Sequence, residues 1–295
     1  MPKLDIEAYL SERKALIDRS LERYLKQSEQ RPRTIVKAMR YGVLSGGKRL
    51  RPILTLASGE LFGAERKQLL LFACALELIH AYSLVHDDLP ALDNDDFRRG
   101  EPATHKLFGE GIALLAGDAL LTEAFQLMSR PEAVRSLKPG LVLELIYDIS
   151  RAAGADGLVG GQAVDLEAED KQADTAAVEH IHARKTGALI CVCAKVGAKI
   201  GGATRQELRR VERYGGYLGL AFQIADDIMD AAGHGGEGRA GSEKKKATYP
   251  SVAGLGAARK RARELLDRCL KELDPFGKDA DPLRAIARTI VERAL

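Results

Sequence analysis

Five aspartates fall within residues 87–96, and Arg98 and Arg99 follow them. The preceding residues 69–85 are apolar with helical spacing, so the carboxylates come at the C-terminal end of a buried helix. A helix C-terminus carries partial negative charge, and the cluster therefore needs positive charge to compensate it. Hard divalent cations prefer oxygen ligands, and arginines suit phosphate groups. The pattern predicts a metal site shared with a phosphate-bearing substrate.

A solvated acidic loop is the alternative for this first cluster. The apolar residues before it and the arginines after it favour partial burial, where unpaired carboxylates would be strongly destabilising. Pro90 disfavours continuing the helix through Asp88. Asp87 and Asp93 would point about 240° apart on a regular helix. We therefore expect the chain to depart from a helix here and bring the two carboxylates together.

A second acidic cluster ends another apolar helical run and contains Asp226, Asp227 and Asp230. Asp226 and Asp230 are separated by about 40° around a helix, so their carboxylates share one face. Two such helices facing each other would surround a cation with carboxylates.

The two aspartate-rich motifs resemble those of trans-prenyl diphosphate synthases, and more closely those of bacterial farnesyl diphosphate synthases, which share the spacing of Asp87, Asp88 and Asp93. The resemblance extends from about residue 46 to residue 250. It implies Mg²⁺ as cofactor and catalytic roles for Asp87, Asp93, Asp226 and Lys185. The metal ligands it implies are Asp87, Asp93 and Asp226, with Asp88, Asp227 and Asp230 assisting.

A glycine pair, Gly46 and Gly47, precedes Lys48 and Arg51 at the predicted start of a helix. Glycines let the backbone approach a ligand, and an anion would offset basic residues at a helix N-terminus. From these residues alone a solvated helix start is an equal alternative, and a core histidine is the alternative for His80. The resemblance assigns isopentenyl diphosphate to Lys48, Arg51, His80 and Arg99.

A second basic segment, Lys185-Thr186, precedes Gly187, which we expect to kink or thin its helix. The resemblance assigns the allylic diphosphate to Arg98, Lys185, Thr186, Gln223 and Lys246. The glycine-rich residues 231–242 predict a mobile loop that closes over diphosphate, with a flexible surface turn as the alternative. This loop departs from the family pattern, and Lys246 is its best match to the family's phosphate-binding lysine. Gln162 and Asp165 resemble a cavity-lining segment, although helix packing explains the glycines before them equally well.

Product length should depend on the residues about one turn before Asp87, namely Tyr82 and Ser83. Side-chain bulk there would set the floor of an apolar pocket. An aromatic residue at this position resembles farnesyl synthases and implies a fifteen-carbon product. Ordinary core packing is the alternative for Tyr82.

The chain has 295 residues, 45% of them hydrophobic, with no evident linker, so we expect a single polyprenyl synthetase domain over residues 1–295. No strand alternation of useful length is present. The sequence therefore predicts an all-α, single-domain bundle of ten or more helices around a central active-site cavity. The resemblance implies the same architecture, the isoprenoid synthase type I fold, and a homodimer.

The net charge is +3, which argues against nucleic acid or an anionic membrane as a partner. The four cysteines lie in apolar helical patterns, as core residues of a reducing compartment do. The N-terminus lacks a secretory signal pattern, and we expect no apolar run to approach the about 20 residues that span a bilayer. These features predict a cytoplasmic protein.

The implied reaction ionises an allylic diphosphate, dimethylallyl and then geranyl, and adds the double bond of isopentenyl diphosphate to the cation. A proton is then lost to the departing diphosphate, and farnesyl diphosphate results. The alternatives are a geranyl or geranylgeranyl diphosphate synthase, a terpene cyclase, and a non-catalytic subunit or metal-binding helical protein.

Overall fold

The computed structural model describes residues 4–26, 30–168, 173–233 and 247–295. Within them lie fifteen α-helices and one two-stranded antiparallel hairpin. The bounds are α1 Ile6–Tyr24, α2 Arg33–Leu44, α3 Leu50–Leu61, α4 Arg66–Asp87, β1 Phe97–Arg98, β2 Glu101–Pro102, α5 Thr104–Phe108, α6 Glu110–Met128, α7 Pro131–Ser136, α8 Pro139–Ala153, α9 Leu158–Glu167, α10 Thr175–His182, α11 Ala188–Ile200, α12 Arg205–Ala231, α13 Tyr249–Ala253, α14 Leu255–Glu272 and α15 Asp281–Val291. A π-helical turn, Ala183–Gly187, joins α10 to α11, and 3₁₀ turns occupy Asp274–Ala280 and Glu292–Ala294.

Helix α4 is the central helix of the bundle, and apolar residues cover most of its surface. It begins with a capping box between Glu65 and Gln68 and packs against α3 and α6. Leu69, Phe72 and Leu76 are fully buried. Burying each such side chain stabilises the fold by about 1.5–3 kcal/mol. The helix ends at Asp87, so the core itself fixes where the first acidic motif begins.

Helix α12 carries the second acidic motif and is the longest described helix, with 27 residues. A capping box between Thr204 and Glu207 starts it, and its sides pack against α11 and α14. The fully buried Tyr214 hydroxyl donates to the Leu283 carbonyl oxygen at 2.9 Å, which ties α12 to α15. The second motif is thus held on a rigid element.

Residues 104–128 form two helices, α5 and α6. Gly109 separates them with φ of +81°, a conformation that side-chain-bearing residues rarely adopt. The prediction of an all-α bundle of ten or more helices is confirmed, since each strand of the hairpin has only two residues.

Two segments are long and apolar enough to cross a bilayer by length and composition, contrary to the sequence-based expectation: Arg66–Asp87 and Glu110–Ala133. In the first, 78% of the apolar window is buried inside the protein, as in the core helix of a globular protein. In the second, only 44% is buried. Composition alone is weak evidence for a membrane span in either segment.

Candidate active site

A cavity of about 980 Å³ lies where the C-terminal ends of α4 and α12 meet the π-helical turn. Acidic and basic side chains line its walls together. The acids are Asp87, Asp93, Asp95, Asp165, Asp226, Asp227 and Asp230, and the bases are Arg51, His80, Arg98, Arg99, His182 and Lys185. The structure therefore brings the first and last carboxylates of both predicted motifs onto one cavity.

The first motif folds back on itself directly after α4. The Asp93 backbone N–H donates to the Asp87 carbonyl oxygen at 2.8 Å, and the Asn94 N–H donates to the Leu89 carbonyl oxygen at 3.1 Å. Asn94 adopts a left-handed φ of +53°, which asparagine tolerates better than most residues. The departure from a helix that the six-residue spacing required is thus a compact turn.

Asp88, an assisting metal ligand by the resemblance, lies behind the cavity wall and is only 2% exposed. Its Oδ1 accepts from Nε of Arg98 at 2.8 Å, and Nη2 of Arg98 also donates to Asp95 at 3.0 Å. Burial raises the pKa of Asp88, although the guanidinium of Arg98 opposes that rise. Arg98 lines the cavity, but these two carboxylates hold its guanidinium.

Arg51 and His80 form the buried part of the predicted isopentenyl diphosphate subsite. Nη1 of Arg51 lies 3.2 Å from Nε2 of His80. Burial, and then the neighbouring arginines, hold the pKa of His80 well below its ordinary value, so the ring is neutral. An arginine can only donate, so Nε2 accepts and Nδ1 carries the proton. Nε of Arg51 is buried without a hydrogen-bond partner among the described residues.

Arg99 lines the cavity and packs against the predicted glycine pair. Its Nη1 donates to the Gly46 carbonyl oxygen, and a Cβ atom at Gly47 would lie 2.6 Å from that nitrogen. The glycines therefore make room for a guanidinium. Lys48 lies at the exposed edge of this region. Partial burial of its ammonium group lowers the pKa of Lys48, Arg293 lowers it further, and Asp226 in the cavity wall opposes the change.

Arg49 has a structural role that sequence reasoning missed. It is 3% exposed with φ of +52°, and it donates to Glu77 at 2.8 Å, to Asp18 at 2.8 Å and to the Val43 carbonyl oxygen at 2.7 Å. These contacts fix the turn between α2 and α3, from which Lys48 and Arg51 project. The only sign of this role in the sequence is that an arginine directly follows Lys48.

The helix predicted to kink or thin at Gly187 contains a π-helical turn that ends at this residue, a feature frequent at functional sites. A Cβ atom at Gly219 would lie 2.6 Å from Gly187 Cα, so glycine there lets α12 approach the turn closely. Nζ of Lys185 donates to Asp165 at 2.7 Å. Burial lowers the pKa of Lys185, but Asp165 and the aspartates of the first motif outweigh this and raise it overall. Asp165 thus holds the lysine, a role its sequence position did not reveal.

All three carboxylates of the second motif line the cavity, but they differ in exposure and in their partners. Asp226 pairs with Arg293 at 3.0 Å, an interaction that nothing in the sequence signalled. Asp227 is 6% exposed and lies 3.5 Å from Nε2 of His182. Burial lowers the pKa of His182 to about 4. Asp230 lines the cavity.

The two predicted chain-length residues lie on different sides of α4. Ser83 lines the cavity. Tyr82 is buried, is absent from the described cavity lining, and packs edge-on against His86 with 5.7 Å between ring centroids. Lys246 and residues 234–242 of the predicted loop lie outside the described residues.

An all-helical bundle that gathers acids from two helices and bases from the remaining walls around one cavity is typical of enzymes that handle diphosphate esters. The chain belongs to the polyprenyl synthetase family, whose sequence profile matches residues 32–286. The family predicted from the aspartate motifs is confirmed.

Its relatives make prenyl diphosphates of different lengths. The chain is 40% identical to the farnesyl diphosphate synthase of Geobacillus stearothermophilus, covering 99% of each chain, and 41% identical to the geranylgeranyl diphosphate synthase of Cyanophora paradoxa, covering 97% of this chain and 95% of that one. A crystal structure of an FPP/GFPP synthase from Zymomonas mobilis superposes with a TM-score of 0.88 at 41% identity, covering 97% and 99% of the two chains. The predictions of an isoprenoid synthase fold and of a prenyl-transferring enzyme are therefore confirmed.

Proposed function

We propose that the chain is a trans-prenyltransferase that joins isopentenyl diphosphate to dimethylallyl and then geranyl diphosphate, giving farnesyl diphosphate and diphosphate. One observation carries this proposal: both acidic motifs and two basic clusters line a single cavity. The basic clusters are Arg51, His80 and Arg99 on one side and Arg98 and Lys185 on the other. Two diphosphates need two sets of positive charge, and the family to which the chain belongs joins prenyl diphosphates.

Mg²⁺ is the proposed cofactor, held by Asp87 and Asp93 on one wall and Asp226 on the other. Their carboxylates are the hard oxygen donors that Mg²⁺ prefers. Among the described residues no three acidic, histidine or cysteine side chains lie close enough to hold an ion alone. This suits Mg²⁺, which commonly binds one or two carboxylates together with substrate phosphates. When bound there, it supplies positive charge to the diphosphate leaving group.

The protein's own residues then bind, orient and shield the substrates. Lys185, held by Asp165, places an ammonium beside the first motif, where it binds the allylic diphosphate. Arg51, Arg99 and neutral His80 bind isopentenyl diphosphate from the opposite basic cluster, with Lys48 at the edge. The apolar part of the wall excludes water from the allylic cation and includes Leu84, Leu158, Val178, Ile181 and Phe222.

We assign the proton lost after condensation to the departing diphosphate. The contacts of the carboxylates and histidines in the described lining single out none of them as the base, and the leaving diphosphate is an anion that was bonded to the allylic carbon before ionisation. Gln223, Arg98 and Lys246 complete the proposed diphosphate contacts, although Asp88 and Asp95 must share Arg98 with the substrate.

Incubation with dimethylallyl and isopentenyl diphosphates, with and without Mg²⁺, tests the proposal. We expect a fifteen-carbon product that disappears when Mg²⁺ is chelated. Absence of any condensed product would refute it. Diphosphate release from the allylic substrate without isopentenyl diphosphate would indicate a terpene cyclase instead.

Tyr82 is the proposed limit on chain length. Replacing Tyr82 with Ala should lengthen the product, because the cavity could then extend past Ser83 along α4, whereas Tyr82→Phe keeps the ring and should keep the product. Chromatography of the dephosphorylated products measures both. An unchanged length in Tyr82→Ala would assign this tyrosine to packing against His86 alone.

A homodimer is the proposed assembly, in a cytoplasmic protein formed by one domain over residues 1–295 without nucleic-acid or membrane partners. Helices α6 and α8 support it, because they expose large apolar side chains: Leu114, Leu115, Leu143 and Tyr147. Exposed apolar patches of this kind mark protein interfaces. The four free cysteines are consistent with a reducing compartment. Sedimentation equilibrium should give twice the chain mass of 32.0 kDa.

A further inference from the structure

A chain of hydrogen bonds links the π-helical turn to the second acidic motif. Oγ1 of Thr186 lies 2.8 Å from Oε1 of Gln223. Nε2 of the same glutamine lies 3.3 Å from Oδ1 of Asp227. The other carboxylate oxygen, Oδ2, accepts from the Tyr249 backbone N–H at 2.8 Å. Asp227 and Thr186 are 6% and 9% exposed, so little water competes for these groups.

The direction of every bond in this chain follows from the carboxylate. An ionised carboxylate can only accept, so the Gln223 NH₂ group must face Asp227. The two ends of a glutamine amide have nearly the same shape, and the hydrogen-bond network decides their orientation. The Gln223 carbonyl oxygen must then face Thr186, and the Thr186 hydroxyl must donate to it.

We propose that Asp227 is a positioning residue that fixes the polarity of the Thr186 hydroxyl through Gln223. A threonine hydroxyl has one proton and two lone pairs. With its proton committed to Gln223, Thr186 presents lone pairs to the cavity. This inference rests on the proposed function in one respect: lone pairs facing the allylic fragment stabilise the positive charge that develops during ionisation. The hydroxyl proton is then not available to a diphosphate, in contrast to the direct contact that the resemblance assigns to Thr186.

The substitution Asp227→Asn should reverse the donor–acceptor direction of these hydrogen bonds. The introduced amide would use its oxygen to accept from Tyr249 N–H and its NH₂ group to donate to Gln223, whose own amide would turn over. Thr186 would then accept from Gln223 and point its proton into the cavity. The variant Asp227→Asn with Gln223→Glu restores the native direction, because a glutamate at position 223 accepts from both neighbours.

Kinetics of these variants test the inference. We expect Asp227→Asn to lower kcat about tenfold, an effect of the size of one hydrogen bond, with a smaller change in KM for the allylic substrate. The double variant should recover most of this loss. In a Thr186→Val background, Asp227→Asn should have no further effect on kcat, since the hydroxyl it orients is gone. An equal loss in both backgrounds, or a double variant no better than the single one, would overturn the inference.

Neutron diffraction from deuterium-exchanged crystals gives a readout that does not depend on activity. The Thr186 deuteron should point at Gln223 in the natural protein and into the cavity in Asp227→Asn. Prenyl product together with a cavity-facing deuteron in the natural protein would refute this inference alone. A deuteron directed at Gln223 without prenyl product would refute the proposed function and leave the polarity assignment standing.

Discussion

The second aspartate of each acidic pair is largely buried, but its contacts differ between the two motifs. Asp88 is 2% exposed and has an ionic partner, Arg98. Asp227 is 6% exposed, and its hydrogen-bond donors include an amide and a backbone N–H. In both pairs the first aspartate lines the cavity. In the first motif Asp88 lies behind the cavity wall, whereas in the second motif Asp227 borders the cavity and also bonds to the interior.

The backbones beneath the motifs also differ. The first motif leaves the helix after Asp87 and returns through the bond from Asp93 N–H to the Asp87 carbonyl oxygen. The second stays on α12, where Asp226 and Asp230 share a face. Ion pairs of Arg98 with Asp88 and Asp95 add to the backbone bonds of the turn, whereas the second motif rests on the regular backbone hydrogen bonds of α12.

The largest effect should come from the cavity-facing members. Asp87→Asn and Asp226→Asn should each lower kcat by roughly 10³, because each removes a proposed ligand of the Mg²⁺ that would concentrate positive charge on the leaving group. Steady-state assays at saturating Mg²⁺ measure this. Asp96→Asn is the matched control, since Asp96 is exposed and paired with Lys106. If the Asp87 and Asp226 variants were as active as this control, the proposed metal-binding role of these two aspartates would be wrong.

The interior members should differ in stability. Asp88→Asn should lower the free energy of unfolding by roughly 3 kcal/mol, because it breaks a largely buried ion pair and leaves Arg98 with Asp95 alone. Asp227→Asn should cost only about 1 kcal/mol, since its neutral partners can reorient. Urea unfolding of both variants measures the contrast. Equal losses would show that the ionic and neutral arrangements are equivalent.

The pH dependence of the unfolding free energy tests the charge state of His80 on α4, the helix that leads into the first motif. The pKa of His80 is held below its ordinary value of 6.5, so below that pH the unfolded state binds more protons than the folded state. The stability contributed by neutral His80 is therefore complete above about pH 6.5 and decreases as the pH falls. His80→Gln should reduce the slope of unfolding free energy against pH by up to about 1.4 kcal/mol per unit. Equal slopes in His80→Gln and the natural protein would contradict this prediction. His180 is exposed, so His180→Gln serves as the control.

Sequence reasoning reached the parts of the site that local patterns encode. Apolar periodicity places α4 and α12, and the spacing of Asp226 and Asp230 gives one face. The distance between Asp87 and Asp93 even requires the turn that the structure contains. Motif resemblance then supplied the family, which the profile match confirms.

The remaining features depend on contacts between residues far apart in the chain. Asp165 and Lys185 are twenty residues apart, and Arg49 meets Glu77 across twenty-eight. Neither pairing leaves a periodic signal, because each partner alone has the sequence of an ordinary surface charge. The sequence also does not show that Asp87 lines the cavity and Asp88 is buried, because two adjacent aspartates differ only in the direction in which the folded chain points their side chains.

The smallest expected effect concerns Arg293, which pairs with Asp226 at 3.0 Å in a partly exposed geometry. Such pairs contribute about 0–1 kcal/mol. Because the guanidinium occupies a carboxylate proposed to bind Mg²⁺, Arg293→Gln should lower the Mg²⁺ concentration for half-maximal activity by at most about fivefold, with kcat little changed. Arg288→Gln, which removes a comparable exposed pair with Glu292, should leave the Mg²⁺ dependence unaltered. A higher Mg²⁺ requirement in Arg293→Gln would instead mean that the arginine orients Asp226 toward the ion. Asp226 would then depend on Arg293 as a positioning contact.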